Sequence, residues 1–500
     1  MQTKIEQLKA IQAEIADLGA ASALLSWDQQ VNMPEGAGPD RGNQLATLGK
    51  LIHQKSIAPQ VGQLIADLSA ASADLDPDSD EARLVKVSKR AYELAVKVPP
   101  EFSAEMARVT SAAFSAWALA RAEKDFSKFQ PHLEKIVDLA QQYVEFFAPY
   151  EHPYDVLLDR FEPGMKTAEV RAIFNALRPQ QVELIQAIAE RPQVDDHFLR
   201  LDYDEQKQWD FGVKVISKYG YDWSRGRQDK SAHPFTTNFS VNDVRITTRV
   251  DRNFINTALF GTLHECGHAL YEQGVAQAYN RTALAGGASL AIHESQSRMY
   301  ENLVGRSLPF WEHFYPQLQE TFPTQLGNLS LEAFYKGINK VNPSYIRVEA
   351  DEATYNLHIM LRLELEIAML EGKLAVKDLP EAWNTRFEEY LGIRPPNDAV
   401  GVLQDIHWSN GLYGYFPTYA LGNLVSAQLW EKITTEIPDL EDQFRRGEFG
   451  ALLEWVRGNI HRYGSKFEPQ ELVQRATGSP IDPAAYLRYL KGKYSQIYGL

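Results

Sequence analysis

Between its proline and glycine breaks, the chain carries apolar residues at intervals of three and four, the spacing that lines one face of an α-helix. This pattern predicts helices over 3–30, 42–70, 80–97, 102–124 and 129–147. The stretch 74–80 and Pro99-Pro100 read as turns between helices, too short and too varied for domain linkers. A period of two replaces the helical one at 235–251, FTTNFSVNDVRITTRVD, where β-branched and aromatic residues flank Val241-Asn242-Asp243. That is the pattern of an antiparallel hairpin, serving either as a structural flap or as the lining of a cleft. Helical spacing resumes over 254–273, breaks at Gly286-Gly287, and returns over 289–304. The run LHIMLRLELEIAML alternates enough to imitate a strand, but its continuity with YIRVEADEATYN predicts one long helix over 345–371. From Tyr413 onward helices alternate with short turns, and no internal repeat occurs. The expectation is a mainly α fold with a small antiparallel β element. We expect one unit over 1–500, with an N-terminal helical part, 1–200, and a part carrying every motif, 201–500.

The helix predicted over 254–273 contains His264-Glu265-Cys266-Gly267-His268. Residues four apart share a helix face, so both imidazoles can reach one cation, with Glu265 beside it. HExxH alone arises by chance on the order of once in fifty chains of this length, so its context matters. Here the context is a proline-free helix followed by a second helical segment bearing Glu294. Two histidines and a carboxylate fill three positions of a tetrahedral zinc and leave the fourth for water, the arrangement of a catalytic site. Glu265 is then placed to take a proton from that water. Cys266 projects about 200° around the helix from His264 and is expected in the core.

Composition narrows the classes. The chain of 500 residues is 44% hydrophobic with a formal charge of −15, which argues against nucleic acid or an anionic membrane as partner. No apolar stretch has the length of a bilayer span, and the amphipathic N-terminus lacks the apolar run of a secretory signal. A single cysteine excludes an internal disulfide. Cytoplasmic residence is the default expectation. There is no GxSxG elbow, phosphate-binding Gly-Lys loop or GxGxxG motif.

Peptide hydrolysis also needs donors for the oxyanion. The segment 401–423 gathers His407, Trp408, Tyr413, Tyr415 and Tyr419 around glycines, either as donors over a cleft or as packing aromatics. Arg347 is a candidate to hold a substrate carboxylate, its alternative being an i, i+4 pair with Asp351 on the helix surface. His293 reads either as a supporting or substrate residue or as an ordinary hydrogen-bonded histidine, and the same alternatives hold for Asp243, Arg245 and His233.

Five blocks, HECGH, HESQSR, DVRITT, IRVEAD and GVLQDIHW, resemble, in this order, the signature blocks of the carboxypeptidase Taq family of metallocarboxypeptidases. The resemblance implies a helical fold with a long substrate groove, a zinc ion that cobalt can replace, and homodimers. It also implies release of single C-terminal amino acids, with broad specificity, from peptides with a free C-terminus. On this chain it makes His264, His268 and Glu294 the metal ligands and Glu265 the base, with Arg347 as a carboxylate contact. His407 and Tyr419 resemble the histidine and tyrosine donors of related helical zinc peptidases, and Asp243, Arg245 and Tyr413 are further substrate-contact candidates.

Overall fold

Helices begin where the sequence supplies a cap or a proline. In the computed structural model, which describes residues 1–500, Ser79 accepts a hydrogen bond from the backbone N–H of Ala82 and opens the helix Asp80–Lys97. The helix expected over 42–70 is two, Gly38–Ser56 and Pro59–Ala71. Pro59 lacks an amide hydrogen to continue the first helix and has the φ that starts the second.

The β element is a mixed three-stranded sheet. Strands β1 (Gly226–Lys230), β2 (Thr236–Ser240) and β3 (Asp243–Thr248) lie in the order β1-β3-β2. The expected hairpin is β2-β3, antiparallel with Thr236 opposite Ile246, and β1 joins it in parallel with Gly226 opposite Val244. The strand β1 has the sequence GRQDK, too polar to show an apolar alternation. Gly226 is required there, because a Cβ would fall 2.6 Å from the Val244 carbonyl oxygen.

Four helices build the site: α1 (Ile255–Gly274), α2 (Leu290–Arg298), α3 (Tyr355–Leu370) and α4 (Pro417–Glu436). After α2 the chain widens into a π-helical turn, Met299–Val304. The expected helix over 345–371 starts only at Tyr355, with Arg347–Glu349 forming a separate 3-10 turn. Asp351 causes the delay: its Oδ1 accepts from the amides of Ala353 and Thr354 at 2.9 and 3.0 Å, a turn that initiates α3 rather than extending it backward. Arg347 and Asp351 therefore do not share a helix face.

One continuous apolar cluster runs from Val109 to Tyr498, and drawn into it are the buried faces of all four site helices. A smaller one joins Ile5, Leu8 and Ile65 of the N-terminal helices to Val241 and Val275, beside the sheet and the end of α1.

Candidate metal centre

Helix α2 is held between α1 and α4 by two glycines. A Cβ on Gly267 would lie 2.6 Å from the Gln296 carbonyl oxygen and the Ser297 Cα, and one on Gly422 would lie 2.6 Å from Glu294 Cβ. The glycine inside HECGH thus lets α2 approach until Glu294 faces the two histidines. His264 Nε2 and His268 Nε2 stand 3.7 and 3.6 Å from Glu294 Oε2, with the three donor atoms all within 4.8 Å of one another. Bonds of 2.0–2.1 Å in a tetrahedral zinc site set neighbouring donors roughly 3.3–3.4 Å apart. The donor set fits a divalent metal with a small contraction.

The remaining atoms of these ligands are committed elsewhere. His264 Nδ1 donates to Glu301 Oε2 at 2.9 Å, and Glu301 is supplied by the π-helical turn. His268 Nδ1 lies 2.7 Å from His293 Nδ1, and His293 Nε2 lies 2.6 Å from Glu272 Oε1. A proton order running from His268 to His293 to the Glu272 carboxylate leaves the Nε2 lone pair of His268 aimed at the metal position. Arg298 donates to Glu294 Oε1 at 2.7 Å and to Glu301 Oε2 at 3.1 Å. Burial alone would favour protonated carboxyls, but Arg298 and His264 outweigh it: Glu294 is held well below the carboxylate range and Glu301 at about 2.

The hairpin lines this centre. Alternate residues of β2 share a face, and Thr236 and Asn238 turn theirs toward α1. The Thr236 hydroxyl donates to Glu265 Oε2 at 2.7 Å, and Asn238 Nδ2 donates to Glu272 Oε2 at 2.7 Å. Burial raises the pKa of Glu265, opposed by His264 and the Thr236 bond. Cys266 is buried in the core, as its helical angle predicts.

Beyond Tyr355 lies a second polar cluster. Arg347, 5% exposed, donates through Nε and Nη2 to Asp405 Oδ1 at 3.1 and 2.8 Å and through Nη1 to the Tyr355 hydroxyl at 2.9 Å. Its expected alternative partner, Asp351, makes no pair with it. Arg362 Nε donates to the other Asp405 oxygen at 2.8 Å. His407 Nε2 lies 3.2 Å from the Tyr419 hydroxyl, and the Arg347 guanidinium lies 4.9 Å from the Tyr419 ring. Burial drives the His407 pKa down to about 3, so the ring is neutral at physiological pH.

Other candidates lie differently. Tyr413 is 1% exposed and enclosed in the core near Glu366, away from solvent. Arg245 is engaged by Asp243 through two bonds of 2.8 Å and lies 4.7 Å from both the Trp27 and Phe239 rings, which ties the N-terminal helix to the sheet. His233 is exposed, and its Nδ1 lies 2.9 Å from the Pro234 carbonyl oxygen. Sequence reasoning passed over Glu301, Arg298, Glu272, Thr236, Asn238, Asp405 and Arg362. Arg298 and Asp405 stood inside quoted blocks, HESQSR and GVLQDIHW, where the i, i+4 spacing of Arg298 to Glu294 and the lone acid among apolar residues at Asp405 were the available signals.

A helical fold built around an HExxH helix, with a carboxylate from a second helix closing a three-donor cluster, defines a metallopeptidase. The chain belongs to the carboxypeptidase Taq (M32) metallopeptidase family, whose model it matches over residues 7–494. It is 43% identical to thermostable carboxypeptidase 1 of Thermus thermophilus, over 99% of both chains, and 38% identical to carboxypeptidase 1 of Bacillus subtilis, over 97% of this chain and 96% of the other. The M32 carboxypeptidase of Deinococcus radiodurans superposes with a TM-score of 0.97 at 43% identity, covering 100% of each chain. The protein is accordingly a metallocarboxypeptidase, a peptide hydrolase. No helix is long and apolar enough to cross a membrane.

Proposed function

We propose that this metallocarboxypeptidase binds one zinc ion, replaceable by cobalt, through His264, His268 and Glu294, and removes single C-terminal residues with broad specificity. The carrying observation is the position of Glu265: Thr236 occupies its Oε2 at 2.7 Å, and Oε1 has no hydrogen-bond partner in the protein. When bound, the metal supplies Lewis acidity to the scissile carbonyl and lowers the pKa of water. Glu265 Oε1 receives the proton of the attacking water and returns it to the leaving amine nitrogen. With its own proton on Nε2, neutral His407 donates to the Tyr419 oxygen, which frees the Tyr419 hydroxyl hydrogen for the developing oxyanion.

Arg347 is the proposed carboxylate anchor, and its pairing with Asp405 does not cancel that role. Of the five guanidinium hydrogens, three are used, leaving one on each Nη. Two arginines share one aspartate, so a positive charge is left over in a buried setting. A C-terminal carboxylate is the complement of that surplus. For Asp243, Arg245 and Tyr413 nothing in their surroundings supports substrate contact. Cytoplasmic residence and homodimers remain part of the reading from the sequence and its resemblance.

A mass-spectrometric time course on an unstructured peptide, with and without a chelator, tests the reading. Stepwise loss of single C-terminal residues, abolished by chelation and restored by zinc, is the expected result. Internal fragments or released dipeptides would overturn it.

A further inference from the structure

The strongest unassigned feature is a cavity of about 270 Å³ between the helices Asp80–Lys97 and Gln130–Glu145 and the segment that follows them. Its aromatic floor holds Tyr143 and Phe147, whose ring centroids are 5.0 Å apart. Two exposed cations stand over that floor. Lys97 Nζ is 5.3 Å from the Phe147 ring, and the Arg160 guanidinium is 5.2 Å from the Tyr143 ring and 5.1 Å from the Phe161 ring. Neither cation has a carboxylate within ion-pair distance.

The acids of the lining are already engaged. Asp155 Oδ1 accepts from the Thr167 amide and hydroxyl at 2.7 and 2.6 Å, while its Oδ2 faces Lys166 at 3.5 Å. Asp159 pairs with Arg90 at 2.7 Å and accepts from the Gly164 amide at 2.9 Å. On the rim, Glu145 accepts from the Tyr150 hydroxyl at 2.6 Å. Lys97 and Arg160 are therefore surplus positive charge on a protein of formal charge −15, set over a face that stacks on apolar or aromatic groups.

A row of aromatic contacts runs from the cavity edge toward the catalytic centre. Phe161, under Arg160, lies 5.1 Å from the Tyr415 ring, and Tyr415 lies 5.4 Å from Tyr419. Together with the 5.1 Å from Arg160 to Phe161, these two ring steps put Arg160 within roughly 15 Å of Tyr419, which an extended peptide covers in about five residues.

We propose that this cavity is a remote substrate subsite in which Arg160 and Lys97 receive an acidic side chain carried about four to six residues upstream of the scissile bond. The inference rests on the peptidase reading above and names a preference within it. The bound carboxylate completes the charge pairs that the fold leaves open, while its neighbours in the peptide cover the Tyr143 and Phe147 faces. Such a contact lies far from the reacting atoms and acts on KM rather than kcat.

The test uses the metal-loaded enzyme and a series of ten-residue peptides with one common C-terminal sequence, in which a single Glu or Gln is moved along the upstream positions. The readout is the Glu-to-Gln ratio of kcat/KM at each position. The wild type is expected to show a ratio of about ten at one position in that window, arising in KM, and raised salt is expected to erode it. Arg160→Gln is expected to bring the ratio close to one, and Lys97→Gln to lower it partway. Because each ratio is taken within one variant, a general loss of activity does not imitate the effect. A ratio near one at every position in the wild type, or an unchanged ratio in Arg160→Gln, overturns the subsite. If none of the peptides is shortened from its C-terminus, the peptidase reading falls, and this proposal with it.

Discussion

Two buried polar clusters meet at Tyr355, and they carry opposite charge. On the α1-α2 side Glu265, Glu272, Glu294 and Glu301 outnumber Arg298 and Arg306, while beyond Tyr355 the guanidiniums of Arg347 and Arg362 outnumber Asp405. Tyr355 takes the Arg298 guanidinium against its ring at 4.4 Å and the Arg347 Nη1 hydrogen bond at 2.9 Å on its hydroxyl. Uncompensated charge in a protein interior is costly unless a ligand of the opposite sign arrives. The first cluster thus suits a cation and the second an anion, and in the proposed reading the bond to be cut lies between them. In an exopeptidase the distance between the two sets how many residues leave.

The largest expected effect separates the metal from the proton. Glu265→Gln keeps all three donors, so metal content should stay at one per chain while kcat/KM falls about 10³-fold. Glu294→Ala should lose both. If Glu265→Gln retains activity, the proton passes through another group and the role given to the first cluster is wrong.

The anion-binding half of the comparison is tested next. Arg347→Ala should lower kcat/KM about 10²-fold for free-acid peptides and far less for C-terminally amidated ones. Equal losses on both would deny the anchor. Asp405→Asn asks whether the excess charge is held by the fold: it strands two guanidiniums and should cost about 3–5 kcal/mol in urea unfolding.

A smaller effect belongs to the His293 relay. His293→Ala should weaken metal affinity about 10–100-fold, read by competition with a chelating dye, because nothing then orients the His268 Nε2 lone pair. Unchanged affinity would mean that packing on α1 suffices.

The two clusters differ as much in how far they could be read from the sequence. His264 and His268 lie one helical turn apart, so local periodicity alone places them on one face. Period two likewise found the hairpin whose Thr236 and Asn238 reach the centre. The Arg347 cluster is made by pairs far apart in the chain, Arg347 with Asp405 and Arg362 with the same acid, and helical spacing pointed Arg347 at Asp351 instead. The misreading began in local chemistry, since the Asp351 side chain starts α3 late and leaves Arg347 in a separate turn. Tyr413 shows the same limit: a tyrosine beside glycines reads as a loop donor, and only tertiary packing reveals that it is enclosed.

The comparison is sharpened most finely by two glutamates, Glu301, whose side chain is 13% exposed, and Glu366, which is fully buried. Glu301, against Arg298, His264 and Arg306, is held at about 2, whereas burial drives Glu366 on α3 up to about 7. Glu366 accepts from the Tyr154 hydroxyl at 2.6 Å, the Trp408 indole at 2.8 Å and the Gly414 amide at 3.1 Å, all neutral donors. At Glu366 these three bonds and the more distant charge of Arg362 do not offset burial, whereas at Glu301 the direct contacts with Arg298 and His264 do. A raised acid holds its proton more tightly in the folded state, so its contribution is favourable at low pH and is lost as pH rises from about 4.5 to about 7. The wild type should lose about 3 kcal/mol across that window from this group alone, and Glu366→Gln should flatten the slope even if it lowers stability overall. Urea midpoints for both proteins at pH 5 and pH 7.5 give the slope directly. Parallel pH dependence in the two would show Glu366 ionised throughout that window, and burial would then not separate the two carboxyls.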